Sequence, residues 1–134
     1  MADAEDIEVI RRAWAAASNS DEDGLIAELH PELVAVPFGA TMEGELYRGP
    51  EEIRAWWRDE IGDAWERFEV HPEVFERVGN RLLVTGRWKA EGIESGVTLE
   101  FPATWVLEVR DGKIVYWHTY TDPEQARSEV GREL

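Results

Sequence analysis

The chain has no cysteine. That excludes a disulfide framework, a thiolate nucleophile and a Cys-ligated metal. Positive charge is scarce: 14 Lys and Arg stand against 29 Asp and Glu, for a net charge of −15. Nucleic acid is therefore not an expected partner, because phosphate binding needs clustered Lys and Arg. An anionic membrane surface is disfavoured for the same reason. No apolar run approaches the roughly 20 residues that a membrane-spanning helix requires. The opening MADAEDIEVIRR lacks the basic start and apolar core of a signal peptide, so a cytoplasmic location is expected. There is no internal repeat, linker or low-complexity tract, and residues 1–134 read as one domain. No His, Asp or Glu spacing suggests a metal site, and no cofactor is expected.

Apolar and aromatic residues are plentiful, at 43% hydrophobic with seven Trp, enough for a packed core. The organising stretch is VTLEFPATWVLEVRDGKIVYWHTYTD, residues 97–122. Asp111-Gly112 supplies the two positive-φ positions of a tight hairpin turn. Hydrophobic residues alternate on either side of it, with Ile114 and Tyr116 set against Val115 and Trp117, which predicts two long strands. Asp122-Pro123-Glu124-Gln125 then predicts a helix start, with Asp as cap and Pro in the first turn, running to about Val130 and closed by Gly131.

Upstream, Ile7, Ile10, Trp14 and Ala17 fall on one face of a helix ending near Ser18. Ser20 and Asp23 suggest the cap of a short second helix, closed by Pro31. Leu33 to Phe38 reads as a strand in which Pro37 requires an edge or a bulge near the mouth of a cavity. Gly39 to Gly44 reads as a loop. Gly49-Pro50 opens a third helix with Ile53, Trp56, Trp57 and Ile61 on its apolar face and Gly62 at its end. Strands follow, with turns at Gly79-Asn80 and Gly92 to Gly96. Helices first and a strand meander after predict an α+β fold, with helices packed on one face of a curved antiparallel sheet. Such a sheet, closed by helices, leaves a cone able to hold an apolar ligand.

Several local motifs in this order, HPEL at 30–33, YRGPEEIRAWW at 47–57, Ser95-Gly96-Val97 and RDGKIVYWHTYTDPEQA at 110–126, carry a resemblance. The chain resembles the SnoaL-like, ketosteroid isomerase-like branch of the nuclear transport factor 2-like superfamily. That superfamily includes ketosteroid isomerase, limonene epoxide hydrolase, scytalone dehydratase and SnoaL-type polyketide cyclases. The resemblance implies a cone-shaped curved antiparallel sheet wrapped around N-terminal helices. It does not fix the activity, because the fold hosts many.

Residue by residue, the family's catalytic groups are mostly missing. Where the isomerase places its base the chain has Val36-Pro37-Phe38, and its two oxyanion-hole positions fall on Trp14 and Trp105. A Trp N–H donates but is neither a base nor an acid. Where the epoxide hydrolase sets an Arg between two Asp residues, the chain has Arg87 with Lys89 and Thr119. His118 is the one candidate general base by its ordinary pKa. The family's register instead turns Trp117, Thr119 and Thr121 toward the cavity and His118 outward, as a surface or dimer-face residue. The same register turns Arg87, Lys89 and Glu91 inward. Arg87 then either pairs with Glu91, Glu100 or another carboxylate, or holds a ligand carboxylate or enolate.

The implied ligand-binding set is Trp14, Trp57, Arg87, Phe101, Trp105, Trp117 and Thr119, with catalytic residues unassigned. Two readings stay open. One is a cofactor-independent isomerase, cyclase or hydrolase acting on a small apolar or polycyclic carbonyl compound. The other is a non-catalytic ligand-binding or dimeric scaffold module. A homodimer is expected, because Tyr116, His118, Tyr120 and Trp88 would form an outward face too apolar to leave in water.

Overall fold

The structure is a computed structural model and describes residues 2–37, 46–62, 65–92, 96–120 and 122–132. Three helical segments precede the main strands: α1 (Ala2–Ser18), α2 (Glu22–Ala27) and α3 (Gly49–Trp56), the last continued by a π-helical turn, Trp57–Gly62. The strands are β1 (Leu29–Val36), β2 (Tyr47–Arg48), β3 (Trp65–Val78), β4 (Arg81–Gly92), β5 (Thr98–Arg110) and β6 (Lys113–Tyr120), followed by α4 (Pro123–Arg132). They form one sheet in the order β2-β1-β6-β5-β4-β3. All pairs are antiparallel except β1 with β6, which run parallel. The result is the expected α+β plan, with N-terminal helices against a curved six-stranded sheet.

Local chemistry explains most boundaries. Asp111 and Gly112 both take positive φ, 55° and 75°, as the hairpin turn requires. The side chain of Asp122 accepts from the Glu124 N–H at 2.9 Å, which caps α4. Between α1 and α2 the cap is Asp21, whose carboxylate accepts from the Gly24 N–H; Ser20, the expected cap, instead takes φ 57° to make the link. β1 begins at Leu29, so Pro31 lies inside a strand and does not close a helix. Pro37 lies one residue past the end of β1 and is fully buried, so its missing N–H interrupts no ladder. That replaces the expected in-strand position. α4 runs through Gly131 to Arg132. The loop expected at residues 39–44, and Phe38, Ser95 and Thr121, lie outside the described residues.

The sheet owes its curl to β3 and β4. Gly86 of β4 lies so close under β3 that a Cβ there would sit 2.0 Å from the His71 carbonyl oxygen and 2.9 Å from the Pro72 Cα. The β3–β4 register shifts just beyond, between Pro72 and Val74. An irregular edge strand bent over a glycine is how a long sheet turns a corner.

A second irregularity resets facing in β6. Tyr116 pairs with Glu108 but Ile114 pairs with Val109, so Val115 is bulged. A bulge inverts the alternation beyond it. Ile114 therefore joins Trp117 on the concave side, and Tyr116 goes to the other; straight alternation had put Ile114 and Tyr116 together.

Two cores result. The concave side packs α1, α3 and the sheet around Trp14, Trp56, Trp105 and Trp117, with Leu82, Val84, Trp88 and Ala90 from β4. The convex side packs Ala126 and Val130 of α4 on Leu83 and Val106. β4 thus carries Leu82-Leu83-Val84, apolar on both faces, because both faces are covered.

This settles the facing of β4. Trp88 is 6% exposed and lies in the concave core. Arg87 and Lys89 are exposed, on the opposite face. The inward facing that the family register implied for Arg87, Lys89 and Glu91 is corrected by one residue. The outward facing of Trp88 is corrected with it.

Candidate functional site: a tryptophan-lined cavity

Inside the concave core lies a cavity of about 30 Å³ open to the centre of a water-sized sphere. α1 contributes Trp14 and Ala17, α2 Leu25, α3 and the π-helical turn Trp56 and Trp57, β3 Phe68 and Val70, and β5 and β6 Trp105, Trp117 and Thr119. Pairing fixes the last three: Trp105 lies opposite Thr119, and Leu107 opposite Trp117.

The aromatic rings interlock. Trp14 meets Trp105 at 5.7 Å between centroids and Trp117 at 5.1 Å. Trp117 meets Trp56 at 5.9 Å, Trp56 meets Trp57, and Trp57 meets Phe68. Phe68 stacks on Trp88, and Trp88 on Phe101 at 4.9 Å. Edge-on and tilted pairs of this kind add about 0.5–1.5 kcal/mol each beyond area burial.

Polar atoms in this lining are few. The Trp117 Nε1–H donates to Thr119 Oγ1 at 2.9 Å. That occupies one lone pair of the hydroxyl and leaves its own proton to donate. The Trp14 Nε1–H is buried and has no hydrogen-bond partner. An unpaired buried donor costs roughly 1–3 kcal/mol. Among the described lining residues there is no carboxylate and no imidazole, and the polar groups they present are hydrogen-bond donors.

Five of the seven expected ligand-binding residues come together here: Trp14, Trp57, Trp105, Trp117 and Thr119. Phe101 does not; it ends the aromatic chain beyond Trp88 and is 45% exposed. Arg87 does not either. Its side chain is 53% exposed, and its guanidinium meets Glu100 at 2.7 Å and Glu73 at 3.3 Å. Sequence reasoning missed five lining residues: Ala17, Leu25, Trp56, Phe68 and Val70. Phe68 and Val70 share one parity of their strand, opposite to the charged Glu69, and that signal would have found them.

His118 lies on the convex face, 4.1 Å from the Tyr120 ring and nearly parallel to it. It joins a separate polar cluster beneath α4. Glu129 Oε1 accepts from Tyr116 Oη at 2.6 Å and Tyr120 Oη at 2.7 Å, and lies 3.2 Å from His118 Nδ1. The Arg81 guanidinium covers the Tyr116 ring at 4.0 Å. Burial alone would push the Glu129 carboxyl up; the hydrogen bonds from His118, Tyr116 and Tyr120 together outweigh it and bring the group down to about 2. Burial, with that carboxylate beside it, pushes the Tyr116 phenol above its ordinary value. These residues are half-buried under a helix, not an open aromatic face.

The fold is that of the nuclear transport factor 2-like proteins. A similar structure is a nuclear transport factor 2-like protein of unknown function from Burkholderia pseudomallei, at 19% identity and TM-score 0.74, covering 94% of this chain and 97% of that one. Another is an LEH-like epoxide hydrolase from M. tuberculosis, at 24% identity and TM-score 0.72, covering 96% and 91%. A third is the Δ5-3-ketosteroid isomerase of a Mycobacterium species, at 16% identity and TM-score 0.73, covering 90% and 95%. No curated protein matches the sequence. Residues 10–117 match the SnoaL-like domain, and the chain belongs to that family. No described helix is long and apolar enough to cross a membrane.

Proposed function

We propose that this SnoaL-like protein binds a small apolar compound bearing a hydrogen-bond acceptor, such as a carbonyl oxygen, and holds it without transforming it. The observation that carries this reading is the unpaired Trp14 Nε1–H in an otherwise apolar lining. A carbonyl oxygen would satisfy that donor while the rest of the molecule met only rings and methyl groups. The isomerase, cyclase or hydrolase reading needs an acid or base at the ligand, and the described lining supplies none.

Size constrains the ligand. About 30 Å³ suits a water molecule, whereas a benzene-sized guest needs roughly 150 Å³. A larger guest must displace part of the wall. Val70 is the least buried lining residue, and Trp57 stands where α3 gives way to the π-helical turn, a kind of irregularity frequent at functional sites. This favours slender ligands over polycyclic ones.

The test compares a ketone with a hydrocarbon of equal length, for example 2-octanone and octane, by thermal shift and tryptophan fluorescence. The ketone should bind better, and Trp14→Phe should remove roughly tenfold of that advantage, about 1.4 kcal/mol. Equal binding of the two compounds, or none, would sink the proposal.

Self-association belongs to the same proposal but on different grounds. Tyr116, Tyr120 and His118 are covered by α4, so they no longer argue for a dimer. Among the described residues the exposed large apolar side chains able to join two copies are Leu46, Val74, Val97 and Phe101, and light scattering at micromolar concentration decides between one chain and two.

A further inference from the structure

A groove of about 620 Å³ runs between α1 and the edge strand β3. Val70 lines both this groove and the tryptophan cavity. Ser18 fixes that shared wall: its hydroxyl donates to the Val70 carbonyl at 3.1 Å and accepts from the Val70 N–H at 2.8 Å. In effect one side chain of α1 supplies the hydrogen bonds that a neighbouring strand would have made.

The groove's charge runs against that of the whole chain. With 29 carboxylates for 14 cations, most arginines are engaged: Arg12 with Glu28, Arg54 and Arg58 with Glu22, Arg77 with Asp6, Arg87 with Glu100, Arg127 with Glu76. Arg11 and Arg67 are both exposed and both line the groove. Among the described residues neither forms an ion pair with a carboxylate. The Arg11 guanidinium lies over the Phe75 ring, 5.2 Å from its centroid, which positions the group by its face and leaves its N–H edge available. Glu69, the carboxylate of the groove, is 3.1 Å from His71 Nε2.

We propose that the groove and the cavity form one bipartite site for a slender oxo acid. Its carboxylate is held by Arg11 and Arg67, its chain passes Val70, and its ketone oxygen accepts from Trp14. This rests on the carbonyl-binding reading above and adds the anionic end. A guanidinium fork suits a carboxylate in a way that a point charge does not. At a net charge of −15 long-range steering opposes an anion, so the attraction acts only within a Debye length, about 8 Å at physiological salt.

The experiment measures binding of 7-oxooctanoate, 9-oxodecanoate and their methyl esters by tryptophan fluorescence. It uses the native chain, the double variant Arg11→Gln/Arg67→Gln and Trp14→Phe. Both arginines are exposed, so the double variant should keep the native circular dichroism and melting profile. The expected result is that at least one acid binds roughly tenfold or more tighter than its ester. The advantage should vanish in the double variant, while ester binding stays unchanged. Trp14→Phe should weaken acid and ester alike. If acid and ester bind equally to the native chain, the groove proposal is overturned and the cavity reading survives. If neither binds, both fall. If the acid depends on the arginines but ignores Trp14→Phe, the joined site is overturned and the groove binds anions alone.

Discussion

The two faces of the sheet solve the same packing problem with opposite chemistry. The concave face is filled by large rings from α1, α3 and four strands and carries almost no polar atoms, yet it leaves one buried donor unpaired. The convex face is filled by small aliphatics under one short helix and buries a carboxylate, with two phenols and an imidazole around one of its oxygens. Buried polar groups are normally paired. By that measure neither face is complete: Trp14 Nε1 on the concave side and Glu129 Oε2 on the convex side are both buried with no hydrogen-bond partner. The difference lies in what surrounds them. Glu129 Oε2 faces the Arg81 guanidinium at 3.7 Å, so an ion pair within the protein meets its charge. The Trp14 donor belongs to the lining of a cavity, where a ligand would complete it.

Truncating the concave lattice should cost most. Trp105 is 3% exposed and packs on Trp14 from the middle of β5. Trp105→Ala should lower stability by roughly 3–5 kcal/mol, read by urea denaturation. A loss under 1 kcal/mol would mean that the rings do not form a close-packed core. Next comes the bend that gives the concave face its shape. Gly86→Ala forces a Cβ into the β3 backbone and should cost about 3 kcal/mol, the upper end for overpacking. Here the neighbour is backbone and cannot swing aside.

The convex face should respond to pH where the concave lining does not. The Glu129 carboxyl titrates below its ordinary 4.5, at about 2. A depressed carboxyl gives stability that is complete above the unfolded value and is lost as pH falls through the folded one. Stability should therefore decline between about pH 4.5 and 2, by roughly 2–3 kcal/mol from this group. Glu129→Gln should cost a comparable amount at pH 7 and flatten the acid limb. A Glu129→Gln variant whose acid limb matched the native one would show that other carboxylates set it.

How far all this could be read beforehand differs between the faces. The hairpin at Asp111-Gly112 and the Pro50 and Pro123 helix starts were legible, because turn chemistry is local. The cavity's rings were legible only in part: the resemblance implied Trp14, Trp57, Trp105 and Trp117, missed Trp56 and Phe68, and added Phe101. The convex cover was not. α4 offers Ala126 and Val130 as its core residues, too weak a stripe to announce which face it seals. The bulge at Val115 was silent too, since one extra residue inverts facing without altering composition. For β4 the local signal was correct: Leu82, Val84, Trp88 and Ala90 alternate with the charged Arg87, Lys89 and Glu91. The family's register points the other way and misplaces Arg87 and Trp88 together. The width of the cavity depends on how distant rings interlock, which no window of sequence contains.

Arg87 gives the smallest predicted effect and the sharpest separation between the two accounts of β4. Held inward against a ligand or a buried carboxylate, it would cost roughly 3–5 kcal/mol to remove. The structure shows its side chain 53% exposed, with Glu73 at 49% and Glu100 at 43%. Exposed pairs of this kind contribute about 0–1 kcal/mol, because water screens both charges and ordering the side chains offsets much of the attraction. Removing the arginine leaves two acidic side chains near each other, but both stay hydrated and salt screens their repulsion. Arg87→Ala should therefore shift stability by less than about 1 kcal/mol, with the difference shrinking further in high salt. Ketone binding should not change, since no lining residue of the cavity touches the guanidinium. A loss of 3 kcal/mol, or a tenfold fall in ketone affinity, would put Arg87 back on the concave side and reverse the facing of β4.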